Sequence, residues 1–288
     1  MQQALAACTK VYDAFLRATR FCDVSNPEIV CLAAGLRRSS GDRDTAVAVF
    51  GYVRDAIAYE VGNWQRTASQ TLGRGRGTCT NSANLMVALL RSLGIPAGYG
   101  VMVVSGREYF GPAIPRRLCS RASERSRHIY VCVWLEGRWV RCDPSDDAAL
   151  SLASQHVNPQ CTLIDWDGWD DALLRLDPTH VIEDQYPLTD IDAMMAKPMR
   201  KAMRFPVHIG NYFIEFLREH GASLVDAHAC QRHFEQWLAR THPACYLAYL
   251  MLPPEAGMTS PHCSAVASPE VQFLGRNADQ LTGAVVHR

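Results

Sequence analysis

Residues 75–97, GRGTCTNSANLMVALLRSLGIPA, decide the fold of this chain because they join a glycine-rich turn to a cysteine and an apolar helix. Thr78 is a suitable N-cap for a helix over residues 79–93, and the leucines of that stretch supply its buried face. Gly94 occupies the position of a left-handed C-terminal cap, and Pro96 prevents the helix from continuing. The stretch therefore predicts a buried helix that begins at a cysteine.

Cys79 differs from the other cysteines because it is the first residue of this helix. Unpaired N–H groups and the partial positive charge of a helix N-terminus favour a thiolate, so we expect a lowered pKa for the thiol. The same N–H groups can bind the oxyanion of a tetrahedral intermediate, and the preceding glycines let a substrate backbone approach. These properties predict a nucleophile. Most of the remaining cysteines are interpreted as reduced core residues.

Residues 127–145, RHIYVCVWLEGRWVRCDPS, are typical of a β-hairpin with a Glu-Gly turn at its centre. A two-residue turn places Asp143 opposite Tyr130, which makes His128 a diagonal neighbour of Asp143 at about 7–8 Å between backbones. A three-residue loop would place His128 and Asp143 on opposite faces of the sheet. The hairpin therefore predicts a histidine in contact with a carboxylate, which is the pair that a cysteine nucleophile requires.

A second Asp-Pro sequence, Asp177-Pro178-Thr179, resembles the end of this hairpin. It lacks a tryptophan four residues before the aspartate, whereas Trp139 stands in that position before Asp143. It also lacks a preceding strand that carries a histidine. The orienting carboxylate is therefore assigned to Asp143.

Together, the two stretches resemble the transglutaminase-like superfamily. Its Gly-x-Cys, helix and Arg-x-x-Gly-Ile-Pro-Ala pattern matches the first stretch, and its histidine strand and Trp-x-x-x-Asp-Pro strand match the second. The resemblance covers roughly residues 40–147. It implies that Cys79 is the nucleophile, that His128 is the general base and acid, and that Asp143 orients the imidazole. It also implies an α+β, papain-like core in which the nucleophile helix packs on an antiparallel sheet.

Residues beside these motifs are candidates for contact with a substrate. The candidates for substrate binding are Trp64, Gly77, Thr78, Arg127 and Tyr130. The candidates for an oxyanion donor upstream of the nucleophile are Trp64, Gln65 and Gln70.

The rest of the chain divides into an N-terminal part rich in mixed elements and a helical C-terminal part. We expect a catalytic domain over residues 1–190 and a mainly helical extension over residues 191–288. The elements expected in the first are helices at 1–20, 27–37 and 44–59, a glycine-rich loop at 60–78 and a strand at 98–104. Those expected in the second are helices at 191–204, 208–220 and 222–240, and an irregular tail from about residue 253.

Composition limits the classes of function. Lys and Arg together number 29, as do Asp and Glu, so the net charge of zero gives no support for binding to nucleic acid. Lys10, Asp13 and Arg17 interrupt the apolar residues of the N-terminus, which does not resemble a signal peptide. No run of about 18 apolar residues occurs, so no membrane span is expected. A cytoplasmic protein follows from these expectations.

Two further groups of residues could suggest binding sites. Residues 105–127 carry six arginines and two glutamates; this favours a solvated, mobile loop, with docking of an acyl carrier protein or phosphopantetheine arm as the alternative. His228, Cys230, His233, His242 and Cys245 could suggest zinc. The spacing of the two nearest histidines does not suit one helical face, however, and Cys230, Phe234 and Trp237 instead form an apolar stripe.

The sequence thus predicts a cysteine enzyme that transfers an acyl group without a metal or another cofactor. An amide or thioester of a small molecule or peptide, including a CoA-type thioester, would donate the acyl group to an amine. Release to water, as in a cysteine peptidase or amidase, uses the same first half-reaction and remains an alternative. An inactive scaffold with this fold is a third possibility, although a scaffold has no chemical need for all three residues.

Overall fold

The computed structural model describes residues 12–111, 114–145, 147–155, 163–173, 177–198 and 206–253. Its helices are α1 (Pro27–Leu36), α2 (Asp42–Ala56), α3 (Ala68–Arg74), α4 (Cys79–Ser92), α5 (Gly106–Phe110), α6 (Arg116–Cys119), α7 (Ala148–Ala153), α8 (Asp192–Met195), α9 (Val207–His220), α10 (Ala227–Thr241) and α11 (Pro243–Leu250). Its strands are β1 (Ala58–Tyr59), β2 (Arg76–Gly77), β3 (Ala97–Val104), β4 (Ser126–Leu135), β5 (Arg138–Cys142) and β6 (Val181–Leu188).

The nucleophile helix forms where the sequence predicts it. Thr78 is the N-cap of α4 and exchanges hydrogen bonds with Asn81, a capping box that satisfies the backbone N–H groups of Thr78 and Asn81. Gly94 follows the helix with a φ of 77°, which is the left-handed conformation expected for its position. The helix is buried along almost its whole length, so it forms the centre of the core.

The hairpin of β4 and β5 has the register predicted from its turn. Leu135 pairs with Arg138, and Val131 pairs with Cys142. Glu136 and Gly137 have φ values of 49° and 82°. Both turn residues therefore have the left-handed backbone conformation that two-residue hairpin turns require. The parity argument for the base and its carboxylate is therefore sound.

A four-stranded antiparallel sheet, in the order β5-β4-β3-β6, carries the core. Alternate residues of β4, among them Ile129, Val131 and Val133, belong to the same apolar cluster as the leucines of α4. Tyr130 and Cys132 point to the other face and form a smaller cluster there. A helix that carries the cysteine on an antiparallel sheet is the α+β, papain-like fold that the sequence predicts.

The glycine-rich stretch at 60–78 contains a helix where a loop is expected. Thr67 and Gln70 form a second capping box at the start of α3, and Gly75 ends it with a φ of 66°. The expectation of a loop is wrong because a glycine of that stretch is a helix C-cap. The preceding helix, predicted for 44–59, ends at Ala56 and is followed by β1, which pairs with β2.

Strand β6 is absent from the elements predicted above. It pairs with β3 at the edge of the sheet, and most of its side chains are exposed. An exposed edge strand has no need for the apolar alternation by which strands are recognised, and its partner lies far away in the sequence. The omission therefore has a physical reason.

The helices after residue 190 differ in length from those expected. The helix predicted at 191–204 ends at Met195, and residues 199–205 lie outside the described residues. The helix predicted at 208–220 is α9, whereas the one predicted at 222–240 begins only at Ala227, because Asp226 is its N-cap. Helix α11 adds to the predicted elements; Pro243 is its first residue, a position that proline favours.

These helices form a second apolar cluster that includes the predicted stripe of Cys230, Phe234 and Trp237. Asn211 of α9 binds both backbone groups of Val61, with its side-chain oxygen accepting at 2.8 Å and its amide donating at 2.8 Å. The division into domains at residue 190 stays a prediction. The tail from about residue 253 and residues 1–11 of the first predicted helix lie outside the described part of the chain.

The arginine-rich stretch at 105–127 contains the short helices α5 and α6. Leu118 and Cys119 are buried, and the Arg117 guanidinium donates hydrogen bonds to the carbonyls of Leu250 and Leu252. The expectation of a solvated loop is therefore wrong for the centre of this stretch. None of the helices described here combines the length and apolar character that a bilayer crossing requires.

Candidate active site

The start of α4 is held rigidly around Cys79. The Asn81 side chain accepts from the Thr78 backbone N–H at 3.0 Å and donates to the carbonyl of Trp64 at 3.0 Å. A side chain at Gly77 would place its Cβ 2.6 Å from the Cβ of Asn81, so only glycine fits there. Asn81 therefore joins the nucleophile helix to the loop before it.

The imidazole of His128 and the carboxylate of Asp143 form a buried pair. His128 Nε2 lies 2.5 Å from Asp143 Oδ2, and the two residues are 5% and 1% exposed. The other carboxylate oxygen of Asp143 accepts from the backbone N–H of Ser145 at 3.0 Å, and the Asp143 N–H donates to the Ala172 carbonyl at 2.9 Å. The carboxylate is therefore fixed by its own backbone as well as by the histidine.

The thiol of Cys79 contacts the same histidine. Burial would raise the pKa of Cys79, but a hydrogen bond to His128, its charge and the N–H of Ile129 together lower the pKa of the thiol. Because Nε2 of the imidazole contacts Asp143, the remaining nitrogen, Nδ1, is the one free to bond the sulfur. The structure thus brings the thiol, the imidazole and the carboxylate of the three residues singled out in the sequence together.

The charges of the imidazole and the carboxylate support each other. Burial would lower the pKa of His128, but the Asp143 carboxylate and the Cys79 sulfur raise it well above its ordinary value. Burial would raise the pKa of Asp143, yet His128 and the hydrogen bonds of Ser145 lower it. The arrangement favours an imidazolium between two anions, which is the charge state of an activated cysteine.

The candidate substrate-binding residues lie in different environments. Gly77 and Thr78 are buried directly before the nucleophile, and Trp64 is half-buried beside them. Tyr130 is fully buried and donates its hydroxyl to Asp184 at 2.6 Å, so it is not exposed to a substrate. Arg127 is exposed and lines a groove on the sheet.

The three candidates for an oxyanion donor differ in how far their N–H groups are engaged. Gln65 donates its amide to the Ala196 carbonyl at 3.1 Å, whereas the Gln70 side-chain oxygen accepts from the Thr67 N–H at 3.0 Å, a bond that does not use the NH2 group of Gln70. Within the described residues, no acceptor is bonded to the indole N–H of Trp64 or to the NH2 group of Gln70, and Trp64 is joined to the nucleophile helix through its carbonyl and Asn81. Sequence reasoning missed Asn81, although a Thr-x-x-Asn sequence before an apolar run is a recognisable capping pattern.

The C-terminal histidines and cysteines do not gather around a common centre. His242 stacks on the ring of Tyr212 at 3.8 Å between centroids, and Cys230 is buried in the second apolar cluster. Among the residues that the structure describes, no three of the types that ligate metals lie close enough to share an ion. All cysteines within the described residues are free thiols.

A cysteine at a helix start, beside a histidine held by a buried carboxylate, is the arrangement of a papain-like site. The model of the transglutaminase-like superfamily matches residues 31–144. This match covers less than half of the chain, and it agrees with the resemblance that the two motifs carry.

Two individual proteins also match. An uncharacterized protein of Mycobacterium leprae is 26% identical over 151 residues, which are 51% of this chain and 50% of the relative, so the chain spans half of that relative's length. A crystal structure of a candidate cysteine protease from Cytophaga hutchinsonii covers 46% of this chain and 40% of that one, with 21% identity and a TM-score of 0.36.

Proposed function

We propose that this protein transfers an acyl group from an amide or thioester donor to an amine through a Cys79 acyl-enzyme. The Cys79 thiolate attacks the donor carbonyl, and a sulfur–carbon bond forms as the donor's amine or thiol leaves with a proton from the His128 imidazolium. The acceptor amine then attacks the thioester, loses its proton to His128 and releases the thiolate. Asp143 keeps the imidazole aligned and charged through both steps.

The observation that carries this proposal is the buried 2.5 Å contact between His128 Nε2 and Asp143 Oδ2, with the Cys79 thiol bonded to the same ring. A buried carboxylate and a buried histidine lose the stabilising contact with water, and this cost is offset only where their charges are paired and hydrogen-bonded. Here the third member is a thiol at the N-terminus of α4, where N–H groups also favour its anion. The three groups match the roles of nucleophile, base and orienting group in both position and charge.

The other parts of the site support particular roles. The N–H groups at the start of α4 and the indole N–H of Trp64 are suitable oxyanion donors. The proposed donor is a small molecule, a peptide or a CoA-type or carrier-bound thioester, and the proposed acceptor is an amine. We place the reaction in the cytoplasm and assign no role to nucleic acid, to a membrane or to a bound cofactor.

Intact-mass analysis after incubation with acyl thioesters and peptide amides tests the proposal. We expect one class of donor to add an acyl mass to the protein, and that mass to be absent in Cys79→Ala. Chasing the acyl-enzyme with an amine in water then measures the partition between aminolysis and hydrolysis. Release only to water would make the protein an amidase or peptidase and contradict the amine as acceptor. No acyl mass from any donor, together with no alkylation of Cys79 by iodoacetamide, would favour the inactive scaffold.

A further inference from the structure

A cleft of about 250 Å³ lies where β1 and β2 meet helix α9. One wall of the cleft carries Glu60, Arg74 and Arg76, which lie between β1 and the start of α4. The other wall carries Glu215 and Arg218 of α9. The cleft is thus built jointly by the transglutaminase-like segment and the helices that follow it. None of the residues assigned to the acyl-transfer reaction forms its walls.

The charges of this cleft are unbalanced around Glu60. This residue is only 8% exposed, and its carboxylate accepts from Arg66 at 2.8 Å and from Arg74 at 3.2 and 3.3 Å. Arg76 Nε lies at 3.8 Å from the same carboxylate. Burial would raise the pKa of Glu60, but the hydrogen bonds of Arg74 and Arg66 lower it. Three guanidinium groups therefore share one carboxylate, an excess of two positive charges around Glu60, and the Glu215 carboxylate on the α9 wall offsets one of them.

Arg76 carries the part of this excess that a ligand can reach. Its side chain is 52% exposed, and the 3.8 Å ion pair is too long for a hydrogen bond. Among the described residues no acceptor is bonded to its guanidinium, whose fork of N–H donors matches a carboxylate or a phosphate. Arg218, in contrast, is already bound to the carboxylate of Asp147 and to the carbonyl of Tyr59. The guanidinium N–H groups of the cleft that are free to bind a ligand therefore belong to Arg76, on the wall that precedes Cys79 in the sequence.

The position of Arg76 relates the cleft to the proposed chemistry. Arg76 precedes Cys79 by three residues, so their backbones are at most about 11 Å apart. We propose that the cleft binds a negatively charged group of the acyl donor or acceptor, a carboxylate or a phosphate carried about 10 Å from the reacting carbonyl. This inference rests on the proposed function, because it assigns the cleft to a substrate of Cys79.

Glu215 provides an internal check on the sign of the effect. It lies on the α9 wall, is exposed and forms no ion pair with the arginines in the described part of the chain. Its carboxylate opposes a second anion in the cleft, so its removal strengthens binding of an anionic group, whereas removal of Arg76 weakens it. A purely structural role for the arginines does not produce opposite effects of this kind.

The test uses iodoacetyl probes that alkylate a cysteine by forming a sulfur–carbon bond and releasing iodide. Probes with a carboxylate or a phosphate at increasing distance from the iodoacetyl group are compared with neutral probes of the same length. The rate at which each labels Cys79 is followed by peptide mass spectrometry on the full chain, with Cys79→Ala as the blank. We expect the anionic probes of suitable length to label Cys79 about two- to fivefold faster than their neutral partners, the effect of a half-exposed ion pair.

The variants decide the result. In Arg76→Gln the rate ratio falls to about one, in Glu215→Gln it rises, and in Arg240→Gln, an exposed arginine outside the cleft, it stays unchanged. Thermal unfolding confirms that each variant is folded.

Two results would overturn the anion site: a rate ratio near one for every anionic probe on the native chain, or a raised rate ratio that persists in Arg76→Gln. In both cases, labelling by the neutral probes still reports a reactive Cys79. If neutral probes also fail to label Cys79, the proposed function itself is wrong. Faster labelling by carboxylates only, or by phosphates only, supports the site and identifies the charged group.

Discussion

Replacement of Asp143 by asparagine is the most direct test of the site, because it removes a charge and keeps the shape. The new amide can still contact Nε2 of His128, but the imidazolium loses the carboxylate that raises its pKa. The pKa of His128 therefore falls. Since that imidazolium is a principal cause of the lowered pKa of Cys79, the pKa of the thiol rises, and less thiolate is present at pH 7.

The size of the effect follows from the geometry of the pair. A hydrogen bond between charged groups contributes about 1.5–3 kcal/mol, and about 1.36 kcal/mol corresponds to one pKa unit. The thiolate population at pH 7 should therefore fall about 10- to 100-fold. One effect opposes this result, because the Asp143 carboxylate itself repels the thiolate and raises the pKa of Cys79. This repulsion is weaker than the hydrogen bond and the charge of His128, so the loss of the imidazolium outweighs it.

The assay is the rate of alkylation of Cys79 by iodoacetamide as a function of pH. The native protein should react at neutral pH, and Asp143→Asn should require a higher pH for the same rate. Asp177→Asn is the matched control, because Asp177 also precedes a proline but is fully exposed and accepts its hydrogen bonds from Thr179. Equal rates for the native chain and Asp143→Asn at pH 7 would refute the reasoning, as would a comparable loss in Asp177→Asn.

Three further predictions concern stability. Glu136→Asn should raise the free energy of unfolding by about 0.5–1 kcal/mol in urea, because Glu136 is left-handed and asparagine tolerates that conformation better; a loss of stability would contradict this. Gly100→Ala should lower it by about 1–3 kcal/mol, since the new methyl group would overlap the ring of Tyr130, and an unchanged melting temperature would show otherwise. Finally, the pair of His128 and Asp143 should stabilise the fold most between about pH 4 and 6.5. Because the pKa of His128 is raised in the folded state, its contribution to the free energy of unfolding is lost as pH rises through that raised pKa. Because the pKa of Asp143 is lowered in the folded state, its contribution is lost as pH falls through that lowered pKa. A constant difference in unfolding free energy between the native chain and Asp143→Asn from about pH 3 to 9 would contradict this.

The site was predictable because its determinants are local. The turn at Glu136-Gly137 sets the register of the hairpin up to the pair of Val131 and Cys142, and Asp143 follows directly, where its N–H bonds to the Ala172 carbonyl and its carboxylate contacts His128. Likewise, the cap at Thr78 decides where the nucleophile helix begins. Each of these features depends on a few neighbouring residues, so local sequence patterns predict them.

Other features escaped prediction because they depend on distant parts of the chain or on an ambiguous residue type. Gly75 is equally typical of a loop and of a helix end, and only the cap formed by Thr67 and Gln70 distinguishes the two. Strand β6 pairs with a strand about eighty residues earlier, which no local pattern in it indicates. The buried centre of the arginine-rich stretch was hidden because Leu118 and Cys119 are surrounded in sequence by charged residues.

The pair of hydrogen bonds between Asn211 and Val61 has a practical consequence for dissecting this protein. The segment that matches the superfamily ends at residue 144, but the side chain that holds Val61 comes from a helix that begins at Val207. Trimming the chain to the matched segment would leave both peptide groups of Val61 unanchored and remove one wall of the cleft beside β2. Any minimal version of this protein therefore has to extend at least through α9.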